Sequence, residues 1–236
     1  MNSMHNLLDE VNLKTKPIKL SGTKYAIPKV VFEKLKLNTQ FKLYHLEDDF
    51  NVPCCCAFFL FNDEWSKESL CALKEQSGAN LLIGIRTSNR FMGVGDIINS
   101  VICCKLEEVA RIVHQFQAML SVHGSYIAMD LNDIIHFFNQ NSYTKYAETK
   151  LYLSDDFTEQ NKQEVEEFIA KLPIRNVKNL LLYTHSANFT GLKYFSEVIE
   201  IVEQKVDDYD MPLYGMAMTN TLNDTYISLI YPIEPH

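Results

Sequence analysis

Asp130 and Asp133 are the residues of this chain whose type and spacing best suit chemistry. They stand in Ser125-Tyr-Ile-Ala-Met-Asp-Leu-Asn-Asp133, where one helical pattern stops and a second begins at Ile134. Carboxylates at a helix head have two uses. Asp130 can cap the helix, and Asp133, at its third position, can offset the positive end of the helix dipole. The same acids, reaching outward, can be presented to a neighbouring molecule and orient a water against a phosphate whose metal and cradle that neighbour supplies. Capping accounts for both residues without chemistry, and the two roles are compatible.

The remaining reactive side chains do not gather into a site. Six cysteines occur as Cys54-Cys55-Cys56, Cys71 and Cys103-Cys104. Neighbours along a strand point to opposite faces and no C-x-x-C spacing exists, so they read as buried, reduced thiols rather than ligands. His114, His123, His136 and His185 lack ligand spacing, and Thr184 and Ser186 beside His185 lack a nucleophile-elbow context. Gly93-Val-Gly95 could approach a phosphate, but without the third glycine and the preceding strand of a dinucleotide fingerprint it reads as an ordinary turn. No cofactor and no metal site is expected.

The elements that must position the acids follow from the apolar pattern. Val52 to Phe61 and Ala79 to Ile85 are continuous apolar runs of strand length, the signature of strands buried on both faces. Between them Ser66 to Ser77 is an amphipathic helix stopped by Gly78, which makes one βαβ unit. Asp96 can cap a helix running to about Val122, with Ile97, Val101, Leu106, Val109, Ile112, Val113, Phe116 and Leu120 as its stripe. By the usual rise that helix is about 39 Å long. After the acidic turn come a helix (Ile134 to Asn141), a strand (Tyr146 to Leu153), an acidic helix (Asp156 to Lys171), a strand (Val177 to Thr184) and a helix (Gly191 to Val206). Leu213 to Met218 and Tyr226 to Ile230 read as two strands of a hairpin. Glu47-Asp48-Asp49 and Glu107-Glu108 read as solvated acids. Residues 1 to about 17 are polar with only a weak helical pattern, and Pro28 opens a short helix over Val31, Phe32 and Leu35.

With 236 residues, 47% of them apolar, the chain can bury a sizeable core. A net charge of −8 with no basic run argues against a nucleic-acid footprint or an anionic-membrane surface. The first thirty residues lack a signal-peptide core, and no apolar run reaches the roughly 18 residues of a membrane span, so no direct membrane insertion is expected. The reading is a soluble protein with a cytoplasmic location.

Element order and residue matches from about Val52 to Pro232 resemble the FtsZ/tubulin family. Tyr126-Ile-Ala-Met-Asp130-Leu-Asn-Asp133-Ile is similar to that family's Asn-x-Asp-x-x-Asp synergy loop, which follows its central helix. Asp130 and Asp133 match the two aspartates, and Ala128 replaces the asparagine. Val177 to Ser186 and Thr219 to Ile230 are similar to the strand and last hairpin of its second domain. The resemblance implies an α/β fold in three parts: a reduced, Rossmann-like parallel-sheet subdomain over 1–95, truncated relative to the family's nucleotide domain; a long central helix over 96–122; and an FtsZ/tubulin C-terminal-like α+β domain over 123–236.

In that family the synergy loop of one subunit completes the nucleotide pocket of the next. Here the glycine-rich phosphate-binding stretch is missing, and Gly22 is the one glycine ahead of Val52. A triphosphate cradle needs several closely approaching amides, which one glycine does not provide. Two base-contacting positions also depart: Thr87 stands where the family has asparagine, with Asn89 displaced by two, and Glu108 falls near the central-helix acid only with an inserted residue. The resemblance therefore implies an FtsZ-like protein that is not itself a GTPase. Asp130 and Asp133 would act only in trans, with FtsZ-type subunits or further copies of the chain as partners, capping or modulating division filaments. The alternatives are a GTP-binding relative with a rebuilt site and a homo-oligomeric scaffold unrelated to division.

Overall fold

The two apolar runs become the centre of a parallel sheet: β2 (Cys56–Leu60), buried in all but its last residue, and β3 (Leu81–Arg86), buried throughout. The computed structural model describes residues 41–61, 65–87, 96–119, 125–152, 157–186, 191–207, 212–218 and 225–234, all within one unit, Thr39–His236. The readings placed on residues 1–38, Asn89, Gly93-Val-Gly95, Leu120, His123 and Asp156 lie outside them. Between β2 and β3 runs α1 (Lys67–Ser77). Ser66 Oγ accepts from the Ser69 amide at 3.1 Å, and Gly78 closes the helix at φ 62°, a left-handed conformation that glycine adopts without strain. A further strand, β1 (Phe41–Tyr44), pairs in parallel with β2; the sequence reading did not separate it from its surroundings.

The central helix is shorter than its sequence pattern. Ser100–Cys103 is a strand, β4, parallel to β3; a 3-10 turn follows at Leu106–Glu108, and among the described residues the α-helix (α2) covers Val109–Met119. Asp96 is therefore not a helix cap. The physical reason is the run Ile97-Ile98…Val101-Ile102, whose β-branched residues satisfy a helical stripe and a buried strand equally and are resolved by pairing to β3. Glu108 is also not a solvated acid: it is 6% exposed, and its carboxylate accepts from the Lys105 amide at 2.7 Å.

The second half contains β5 (Ser125–Ile127), α3 (Leu131–Gln140), β6 (Tyr143–Leu151), α4 (Glu159–Ala170), β7 (Leu181–Ser186), α5 (Gly191–Glu203), β8 (Leu213–Met218) and β9 (Thr225–Pro232). Among the described residues nine strands make one sheet, ordered β1-β2-β3-β4-β6-β9-β7-β8-β5. The parallel pair β4–β6 joins its two halves. The predicted hairpin of the last two strands is corrected: β8 and β9 are not neighbours, because β7 lies between them, parallel to β8 and antiparallel to β9. Local alternation announces two strands but cannot show which buried strand will separate them.

Helices cover both faces of the sheet, an α/β architecture as the sequence predicts. On one face α1 packs on Ala57, Phe59, Leu82 and Val101, while α4 and α5 pack on Leu151, Leu182, Ile227 and Leu229. The other face carries α2 and α3. Helix α2 touches strands from one edge of the sheet almost to the other: Gln117 Nε2 donates to the Phe41 carbonyl of β1 at 3.0 Å, and the helix also packs on β8. Seven of its eleven residues are buried.

Candidate functional site

The acidic turn is built from three consecutive devices. Asp130 stands in extended conformation (φ −73°, ψ 138°) as the N-cap of α3, its Oδ1 accepting from the Asn132 amide at 2.7 Å. Asp133 follows in the first helical turn, and both aspartates are exposed. On either side the chain is buried: Met129 is 8% exposed and Ile134 fully enclosed, the two positions that bracket a capped helix start as a hydrophobic staple. The Met129 amide donates to the Met119 carbonyl at 3.4 Å, tying the turn to the end of α2.

Strand direction sets where this turn points. β1 to β4 and β6 to β8 all run one way, and β5 runs antiparallel to β8, so the chain leaving β5 heads for the end of the sheet where the parallel strands begin. The far end of α3 is pinned at that same end. Ser100 Oγ donates to the Asn141 carbonyl at 2.6 Å, Asn99 Nδ2 to Asn139 Oδ1 at 2.8 Å, and Asn141 Nδ2 to Asn179 Oδ1 at 3.1 Å. Asn99, Ser100 and Asn179 lie where β4 and β7 start.

The opposite end, where β2, β3 and β4 finish, is the place where open α/β sheets hold ligands. The sequence between β2 and α1, Phe61 to Ser66, contains no glycine, the residue that a phosphate cradle uses for close backbone approach. Arg86, which ends β3, is 3% exposed and lies 4.4 Å over the Phe61 ring; among the described residues nothing hydrogen-bonds its Nε or Nη1. The structure thus does not bring Asp130 and Asp133 together with Arg86, Thr87 or Glu108: they occupy opposite ends of one sheet.

Sequence reasoning missed a polar seam beneath α2. Arg111 donates to Glu148 of β6 through Nε at 3.0 Å and Nη2 at 2.8 Å, and Tyr146 Oη donates to the same carboxylate at 2.7 Å. Burial alone would lower the Arg111 pKa, but Glu148 more than offsets it and holds the guanidinium charged. Burial, reinforced by Glu148, raises the Tyr146 phenol. Ser228 Oγ lies 3.2 Å from both Gln115 Oε1 and the Tyr183 carbonyl, and the His114 and His185 rings are 5.9 Å apart. A charge in the middle of a strand, such as Glu148, was the available signal.

The cysteines are free thiols, and burial pushes those of Cys54, Cys56, Cys103 and Cys104 up, away from the reactive thiolate. Among the described residues no cluster of three or more His, Cys, Asp or Glu could hold a metal, and no helix is long and apolar enough to cross a membrane.

No protein-family model and no curated protein sequence matches the chain. Solved structures do. A mutant FtsZ from M. jannaschii is similar over 87% of this chain and 68% of its own, at 12% identity and a TM-score of 0.48. An empty FtsZ dimer from M. jannaschii is similar over 76% of this chain and 55% of its own, at 16% identity and a TM-score of 0.45. GDP-form protofilaments of Bacillus thuringiensis serovar israelensis TubZ are similar over 75% of this chain and 61% of the TubZ chain, at 9% identity and a TM-score of 0.49. At these identities the similarity concerns the fold alone. This chain spans between 55% and 68% of their lengths.

Proposed function

We propose that this chain is an FtsZ-like protein that works by protein contact, presenting Asp130 and Asp133 to a partner subunit and not acting as a GTPase itself. The observation that carries the reading is the acidic turn: two exposed carboxylates, held between buried Met129 and Ile134 and facing the end of the sheet away from the carboxyl ends of β2 to β4. Such polarity suits head-to-tail contact, in which the turn of one molecule meets the opposite end of the next. The partner is a second copy or an FtsZ-type subunit, the latter offering a nucleotide phosphate for the acids to address. The non-GTPase reading is supported by the sequence, which has no glycine between β2 and α1 and lacks a glycine-rich phosphate-binding stretch. Capping or modulation of a division filament is the role that fits an acid-bearing end in a sequence without a glycine-rich phosphate-binding stretch.

Co-sedimentation with an FtsZ from the protein's own source tests the contact. The wild type is expected to change the amount of polymer pelleted, and Asp130→Asn/Asp133→Asn to leave it near the level of FtsZ alone. Equal effects from both proteins would sink the role given to the acids. Titration with labelled GTP and Mg²⁺ tests the rest: saturable micromolar binding would replace the non-GTPase reading with a rebuilt nucleotide site.

A further inference from the structure

We infer that Gly215 is a positioning residue for the acidic turn, a notch in β8 shaped to receive Met129. The inference rests on the contact role proposed for Asp130 and Asp133 and names what holds them in place. A Cβ added at Gly215 would lie 2.7 Å from Met129 Cε, 3.4 Å from Met129 Cγ and 3.0 Å from Cδ2 of Tyr183. These distances define a socket whose floor is the glycine backbone and whose wall is the Tyr183 ring, with the thioether of Met129 filling it.

Position along the chain gives that fit its consequence. Met129 immediately precedes the cap residue Asp130, so wherever its side chain is anchored, the aspartates follow within a few bonds. The strand leading in offers a weak lateral guide: β5 is three residues long, and its register with β8 shifts between Ser125 and Ile127. The seated methionine therefore fixes how the turn sits against the sheet, as Ile134 fixes the helix behind it. A methyl on Gly215 would displace the Met129 terminus, leave Cγ at an ordinary contact distance and press on the Tyr183 ring, which must give by a few tenths of an ångström. The thioether then loses its seat, and the turn loses the anchor that it provides.

Size exchange at the two positions tests this. Gly215→Ala, Met129→Ala and the double variant are compared by circular dichroism, by the amide resonances of Leu131, Asn132 and Asp133, and by FtsZ co-sedimentation. Gly215→Ala is expected to keep the helix and strand content, shift those three amides and lose the wild-type effect on sedimentation. The double variant, with the knob shortened as the notch is filled, should recover most of both. Unshifted amides in folded Gly215→Ala, or a double variant no nearer to wild type, would overturn the inference. If Gly215→Ala does not fold, Met129→Ala alone decides: it should shift and broaden the same amides, and unchanged resonances count against the socket. Failure of the contact reading is distinguishable, because amides that respond to Gly215→Ala while Asp130→Asn/Asp133→Asn sediments FtsZ like wild type would leave the socket standing without that function.

Discussion

The two flanks of α2 meet the sheet by opposite means. On one flank the Phe116 ring stacks on Phe41 at 5.8 Å and lies tilted to Phe58 at 5.4 Å and to Phe138 of α3 at 5.6 Å, apolar contacts that tolerate small rotations of the helix. On the other, Arg111 and Gln115 pair with Glu148 and Ser228, contacts that fail when distances change by a few tenths of an ångström, and the His114 and His185 rings lie 5.9 Å apart beside them. The two flanks divide the labour: the aromatic one supplies stability, and the polar one fixes the helix's rotation and register. Register matters here because the carbonyl of Met119, the last residue of α2, receives the amide of Met129 beside the acidic turn.

The largest effect is expected on the aromatic flank. Phe116→Ala should lower unfolding free energy by about 3–5 kcal/mol through lost burial and the cavity left behind. Urea unfolding followed by circular dichroism measures it. A loss under 1 kcal/mol would mean that the aromatic flank is not the one that stabilises.

On the polar flank, removing one partner should hurt more than removing both. Glu148→Ala strips Arg111 and Tyr146 of their acceptor and should cost about 1–3 kcal/mol, discounted because the Arg111 side chain is 41% exposed. Arg111→Met/Glu148→Leu should return close to wild type in the same unfolding experiment, since a well-packed apolar pair can replace a buried ion pair. If the double variant is as weak as the single one, the seam is a source of stability and the division drawn above collapses.

The smallest effect comes from His114, whose pKa burial lowers from its ordinary value of 6.5. With the folded pKa below the unfolded one, the unfolded chain binds the extra proton first. Stability is therefore fully present above pH 6.5 and is lost as pH falls from there through the folded pKa, with a slope of at most ~1.4 kcal/mol per pH unit for one group. Wild-type protein should lose more stability between pH 7.5 and 5.5 than His114→Gln does. Identical pH profiles would remove His114 from the seam's sensitivities.

Much of this architecture is legible in the residues, and the rest fails for identifiable reasons. The βαβ unit is readable because Ser66 and Gly78 bracket α1 and because β2 and β3 are apolar without interruption. The cap role of Asp130 is equally local. β4 is obscured because Ile97, Val101 and their neighbours fit two periodicities, and only pairing with β3 chooses between them. β1 and β5 are too short to show a pattern. The insertion of β7 between β9 and β8, the burial of Glu108 and the polar seam all depend on partners far along the chain. Of the site, the aspartates are visible in sequence, whereas the Gly215 socket that seats Met129 is made by a residue from another strand.

The enclosure of α2 also bears on how the chain folds. Two of its ties, Gln117 to Phe41 and Gln115 to Ser228, join residues 76 and 113 positions apart. Loop closure on that scale is slow, and neither half of the sheet can finish its core around the helix before the other arrives. The α2 amides should therefore exchange with solvent only when the whole sheet opens, which makes them a gauge of global unfolding, while the exposed head of α3 reports the local opening that a docking turn needs.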